Sequence, residues 1–264
     1  MTRLSSAASS GVASVLRAFL PPLAVFVVIT AGLEVVVRAG WIPAYQVAPP
    51  SAVLATLARD WSELFAAAAT TAWSATRGFL LSAAIGIVAA ILLSLHPLVR
   101  RAFFPYAVFL QTVPIIAIAP LLVIWLGDGP PTVIASAFLA SLFPVIASTL
   151  VGLSSTEPPL RDMFKLYHAS PWQTLVKLKI PSALPSMLTG LRVSAALAVI
   201  GAIVGEFVVY GGLGTMVTTA SRQQRVDKIF AVLILAALLG VALTAAVNLL
   251  SRLLLRHWHA SEAP

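Results

Sequence analysis

Apolar stretches long enough to cross a hydrocarbon slab recur along this chain, and between them the sequence turns polar for only short intervals. Leu20 to Val37 is the first such stretch. A bilayer core about 30 Å thick takes about 20 apolar residues per helix, so a chain of 264 residues has room for five or six crossings joined by short loops. Hydrophobic residues make up 59% of it and charged ones 10%, against about 25% charged in an ordinary soluble domain, so a water-soluble core is excluded. The expected fold is an all-α polytopic membrane protein with about six transmembrane helices.

The boundaries follow from breakers and charges. Residues 1–16 are Ser/Ala-rich and read as a flexible cytoplasmic tail, residues 17–256 as one transmembrane domain, and 257–264 as a cytoplasmic tail. The first stretch is too long for the apolar region of a signal peptide and no small-residue cleavage site follows it, so it reads as retained. Pro49, Pro50 and a cap at Ser51 open a short amphipathic helix with Arg59, Asp60 and Glu63 on its polar side. Lying on the outer membrane surface and packing on the bundle are equal readings of it. Further spans are expected at 65–95, 103–126, 132–153, 183–210 and 228–255, with a Gly-rich outer loop over 211–227. The third contains Pro105, Pro114 and Pro120 and should be bent. Small residues such as Gly86, Gly190, Gly201, Gly205 and Gly240 suit close helix packing.

Assigning loops to sides in this way puts Arg3, Arg17, Arg100, Arg101, Arg161, Lys165, Lys177, Lys179, Arg252 and Arg256 on one side. The other side has Arg38, Arg59, Arg222, Arg225 and Lys228, partly offset by Asp60, Glu63, Asp128 and Asp227. The excess places both termini in the cytoplasm. The net charge of +8 is dispersed between apolar runs, which speaks against a nucleic-acid surface. Zero cysteines exclude disulfides and thiolate metal sites.

The interval 154–182 is too polar to cross a bilayer, yet its apolar residues are ordered. Thr156 or Glu157 can cap a helix whose first turn holds Pro158 and Pro159, and Leu160, Met163, Phe164 and Tyr167 then share one face. Ser170-Pro171 repeats the start signal for a second short helix bearing Trp172, Leu175 and Val176, with the turn at His168. Two short cytoplasmic helices with aromatic residues on show imply a soluble partner.

Asp162-Met163-Phe164, three residues, His168, nine residues, then Leu178-Lys179-Ile180-Pro181 follows the spacing of a loop found in permeases of binding-protein-dependent ABC importers. In those it reads Glu-Ala-Ala, three residues, Gly, nine residues, Ile, one residue, Leu-Pro. Gln111-Thr112-Val113-Pro114, Ala119-Pro120-Leu121, Trp125-Leu126-Gly127, Pro181 to Pro185, Gly190-Leu191-Arg192, Gly205-Glu206-Phe207 and Gly211 to Gly214 are similar to the nitrate, sulfonate, taurine and pyrimidine-precursor class. The resemblance covers nearly the whole chain. His168 stands where the family has Gly, and His is among the residues that tolerate a left-handed turn.

The resemblance implies a permease subunit, paired with a second copy, two cytoplasmic P-loop ATPase subunits and an extracytoplasmic solute-binding protein. The chain is then no enzyme, sits in a bacterial inner membrane and binds no cofactor, with ATP and Mg on the partner ATPase. No Gly-x4-Gly-Lys-Ser/Thr loop occurs in it. Under this resemblance the loop's motif positions and its apolar face together give the ATPase-coupling candidates: Leu160, Asp162, Met163, Phe164, Tyr167, His168, Ala169, Ser170, Trp172, Leu178 and Pro181. Candidates for the translocation path are Arg77, Gln111, Glu206 and Asn248, each with a structural alternative: a carboxylate partner for Arg77, an interfacial base for Glu206, interhelical hydrogen bonds for the two amides. His96, His257 and His259 read as solvated surface. The transported solute, an organic anion or a small heterocycle, stays open. An ion-coupled secondary transporter is the rival reading, weakened by the scarcity of carboxylates inside the spans, essentially Glu34 and Glu206. A membrane enzyme needs a cluster of reactive side chains, and four scattered histidines do not make one.

Overall fold

The computed structural model describes residues 4–255, all helix and connecting turns, with no strand among the described residues. In chain order the helices are α1 (Leu4–Arg38), α2 (Pro50–Arg59), α3 (Trp61–Leu95), α4 (Pro97–Thr112), α5 (Ile115–Leu126) and α6 (Pro130–Ser154). They continue as α7 (Pro158–Leu166), α8 (Pro171–Thr174), a π-helical turn (Leu175–Lys179), α9 (Ile180–Glu206), α10 (Gly212–Arg222) and α11 (Val226–Leu255). Five are long and apolar enough to span: Leu20–Arg38, Trp61–Leu95, Pro130–Ser154, Pro171–Glu206 and Val226–Leu255. Arg3, Arg256, His257 and His259 lie outside the described residues.

Four boundaries differ from expectation. Helix α1 begins at Leu4, so the residues read as a loose tail carry helical backbone, in keeping with their Ala, Leu and Ser content. The expected third span is two helices, α4 and α5, separated at Val113-Pro114. Pro114 has no N–H to donate and forces Val113 into extended backbone (φ −73, ψ 123), so the chain breaks where a bend was expected. At about 1.5 Å per residue, α5 then reaches only about 18 Å. The stretch 211–227 holds α10 instead of a loop. The gap expected before the fifth span is closed by the π-helical turn, whose wider winding precedes Pro181, the residue that would otherwise clash one turn back.

The chain divides into two compact units. In the first, residues 1–61 with 220–231, Glu34 accepts from the Ser51 backbone N–H (2.9 Å) and hydroxyl (2.7 Å) and pairs with Arg38 at 2.6 Å. Ser51 therefore holds two helices together, and Pro49 takes the cap position before α2. Thr56 of α2 and Asp60, its C-cap, face the 225–228 turn: Thr56 donates to Asp227, and Asp60 pairs with Arg225 (3.4 Å) and Lys228 (3.7 Å). The hydrogen bond to Asp227 holds the Arg225 guanidinium above its usual range. Within this unit the polar side of α2 meets the 225–228 turn.

In the second unit, 62–219 with 232–264, α6 and α9 are the central pair, with α3 beside them. Small residues set the spacing. A Cβ on Gly190 would stand 2.5 Å from Ser148 Cβ and 2.8 Å from the Pro144 carbonyl; one on Gly201 would stand 2.6 Å from Ala140 Cβ. Such approach lets helices gain dispersion contacts where lipid supplies no hydrophobic drive. Ser194 adds a hydrogen bond across the pair, 2.7 Å to the Ser141 carbonyl. Gly240 is different: among the described residues of this chain nothing lies within 4 Å of its would-be Cβ, so it sets no helix spacing within the chain.

Candidate functional site

The segment between α6 and α9 folds as two short helices around a tight turn. Glu157 stands at the cap position of α7, although no side chain caps that end, and Pro158 and Pro159 occupy the first turn, where a missing N–H costs nothing. The Lys165 carbonyl accepts from the His168 N–H (2.9 Å) and the Phe164 carbonyl from the Ala169 N–H (3.0 Å), which satisfies the last carbonyls of α7. This closure requires left-handed backbone at His168, whose φ is 49°. Ser170 then starts α8 with a reciprocal capping box: its hydroxyl accepts from the Gln173 N–H (3.2 Å), and the Gln173 side chain accepts from the Ser170 N–H (2.9 Å).

Side chains divide sharply over this hairpin. Leu160 and Met163 are exposed, Phe164 is half-buried, and Tyr167 is 80% exposed. Trp172, across the turn, is 70% exposed. Leu166 is also 80% exposed; it lies off the 160/163/164/167 face, so periodicity did not single it out. Asp162 pairs with Lys165 at 2.9 Å, and that hydrogen bond holds its carboxyl below the usual range. Ala169 and Pro181 are half-buried, and Leu178 is 7% exposed. Leu175 packs with Leu153, Ala183 and Met187. The hairpin thus presents Met163, Leu166, Tyr167 and Trp172 outward while Leu175 and Leu178 fix its base, and α8, the π-helical turn and α9 form one rod from the hairpin into the membrane span.

The path candidates do not converge on one cavity. Arg77 is exposed on α3 with its guanidinium 4.3 Å from the centre of the Trp73 ring, a cation–π contact one turn away; no carboxylate pairs with it among the described residues. Gln111 is exposed on α4. Asn248 lines, with Thr244, an apolar groove of about 530 Å³ between α9 and α11. Glu206 is 2% exposed and lies under the 211–214 turn. Its Oε2 accepts from the Gly214 N–H (2.8 Å) and the Thr71 hydroxyl (2.9 Å), and Thr71 accepts from the Leu213 N–H (2.9 Å). The other carboxyl oxygen, Oε1, is buried without a partner, and no base pairs with Glu206 among the described residues. Positive φ at Gly211 (115°) and Gly212 (77°) folds the turn over the carboxyl. Thr71, on a distant part of the chain, carried no sequence signal. His96 is exposed, as expected of solvated surface, and its Nδ1 also accepts from the Leu98 N–H (3.2 Å), capping α4.

Among the described residues no group of His, Cys, Asp and Glu is placed to hold a metal. Residues 82–259 match the family described as the inner membrane component of binding-protein-dependent transport systems. A probable ABC transporter permease protein of Haemophilus influenzae is 33% identical over 87% of this chain and 94% of its own length. The formylaminopyrimidine transport permease protein ThiX of Halalkalibacterium halodurans is 37% identical over 67% of this chain and 72% of its own. For the putative aliphatic sulfonates transport permease protein SsuC of Bacillus subtilis the values are 31%, 75% and 72%. The fold is similar to that of the MetNI methionine ABC transporter in an inward-facing form, with a TM-score of 0.64 at 18% identity over 72% of this chain and 94% of that one. A bacterial ABC transporter involved in the import of the acidic polysaccharide alginate aligns over 93% of this chain and 96% of that one, with a TM-score of 0.63 at 17% identity.

Proposed function

This chain belongs to the family of binding-protein-dependent transport inner membrane components, and from that premise we propose that its 157–179 hairpin is the handle through which ATP hydrolysis drives solute uptake. The chain is the membrane-spanning permease subunit of an ABC importer for a small solute; it is not an enzyme, and ATP hydrolysis belongs to a separate subunit. An ATPase and a solute-binding protein are its partners.

The observation that carries the proposal is the exposed Met163, Leu166, Tyr167 and Trp172 on a hairpin too polar to enter lipid. Apolar and aromatic side chains on a short amphipathic helix gain most when a partner's groove covers them. The ATPase binds there, so the hairpin faces the cytoplasm, as do both chain ends; the excess of Lys and Arg on that side supports this orientation. Closure of two ATPase subunits on ATP pushes two such hairpins, one from each of two permease copies. The α8–α9 rod carries the displacement into the spans, and the path between the copies alternates between membrane faces. The solute is a small organic anion or a small heterocycle, in line with the formylaminopyrimidine and sulfonate relatives.

The test is uptake and ATP hydrolysis measured side by side in the reconstituted transporter. Phe164→Ala and Tyr167→Asp are expected to leave the permease folded and to lose coupled uptake. Unchanged uptake in both removes the handle.

A further inference from the structure

A second cavity, of about 620 Å³, opens where the ends of α3 and α6 meet α4, α7 and the π-helical turn. Its polar lining is Arg100, Arg101, Arg161 and Lys179 with Ser94 and Ser154, and no carboxylate lines it. Two of the cations are held in place: Arg100 donates to the Ser154 hydroxyl (3.3 Å) and Arg161 to the Thr156 carbonyl (3.2 Å). The Arg161 Nε is buried and has no partner among the described residues. The carboxylate on α7, Asp162, is taken by Lys165. A general bias of basic residues toward one membrane face puts cations on these loops, but it does not gather four of them from three elements around one hollow. Crowded like charges repel, and an anion among them removes that cost.

The rest of the wall is apolar, with Leu93, Phe104 and Leu153. Helix α4, which contributes Arg100, Arg101 and Phe104, also exposes Leu98, Phe103 and Tyr106. Cations above and bare apolar surface beside them suit a ligand that is itself charged at one end and apolar along its length. We propose that this cavity binds the phosphate of an anionic membrane phospholipid, with its acyl chains along α4. Basic pockets between spans at the cytoplasmic face are built for such headgroups. Because Arg161 lies on α7 and Lys179 at the base of the hairpin, the headgroup ties the ATPase-coupling segment to α4.

The test uses the assembled transporter with its ATPase subunits in an uncharged detergent, exchanged with equal phosphatidylglycerol and phosphatidylcholine and read by native mass spectrometry. Wild type is expected to retain phosphatidylglycerol in preference. The pair Arg100→Gln and Arg101→Gln should weaken that retention about thirtyfold, and Lys179→Gln alone about fivefold. Lys177→Gln, an exposed lysine outside the cavity, should leave it unchanged. Lys179→Gln alone carries the test if the double variant does not assemble. Equal retention of both lipids, or the same retention in every variant, overturns the proposal. So does protection against unfolding by inorganic phosphate with no lipid retained, which makes a free anion the ligand. Loss of the ATPase subunits with lipid retention intact overturns it in favour of a protein contact.

Discussion

Replacing Gly190 with Ala tests the packing that joins the handle to the spans. The new methyl would stand 2.5 Å from Ser148 Cβ and 2.8 Å from both the Ser148 hydroxyl and the Pro144 carbonyl. Rotation about χ1 can move the Ser148 hydroxyl but not its Cβ, and the Pro144 carbonyl is helix backbone, so α6 and α9 must separate. Overpacking of this kind costs about 1–3 kcal/mol, and Ala returns about 1 kcal/mol of helix propensity, leaving a net loss of up to about 2 kcal/mol. Gly240→Ala is the matched control: the same propensity gain of about 1 kcal/mol with nothing within 4 Å to strike. The two substitutions, chemically identical and both in spanning helices, should therefore shift the unfolding midpoint in opposite directions. Denaturant titration of the purified permease in mixed micelles, followed by tryptophan fluorescence, reads that difference. Equal shifts, or stabilisation by Gly190→Ala, would refute the reasoning that backbone approach between α6 and α9 limits side-chain size.

Three further outcomes follow from local geometry. Glu206→Ala strands the Gly214 N–H in a buried position and should cost about 1–3 kcal/mol in thermal unfolding, while Glu206→Gln, which keeps an acceptor oxygen, should cost less. His168→Gly relieves a left-handed residue and should stabilise the hairpin by about 1 kcal/mol or less, whereas β-branched His168→Val should destabilise it; the yield of ATPase-bound complex on heating checks the sign. Ser170→Ala removes the acceptor of the capping box and should cost about 1 kcal/mol, seen as faster hydrogen exchange over 171–179.

Much of this was legible because membrane insertion and helix termini obey short-range rules. Apolar length alone separates the spans, and cap-and-proline signals at Glu157-Pro158 and Ser170-Pro171 mark both hairpin helices. The left-handed turn at His168 was readable from its spacing against the family's glycine. Proline content was not enough at Pro114: the same residue kinks or breaks a helix according to whether neighbours sustain the turn before it, and here Val113 is extended. Gly211 to Gly214 looked like a loop because glycine weakens helices, yet two of these glycines make the turn that seats α10 over Glu206. Which groups meet Glu206 was beyond reach, since Thr71 lies on another helix and a hydroxyl in a span has many uses. Leu166 escaped notice for the opposite reason, an apolar residue that leaves its helix's apolar face.

The account turns on where Tyr167 points and what grips it. Because the chain has no cysteine, Tyr167→Cys gives this subunit a single reactive thiol. A short bifunctional reagent should join it to the ATPase subunit in the assembled transporter, at a yield that changes on adding ATP, and a membrane-impermeant maleimide should reach it only from the cytoplasmic side. Labelling from the outside of intact cells, or no cross-link to the ATPase in any nucleotide state, would contradict the account.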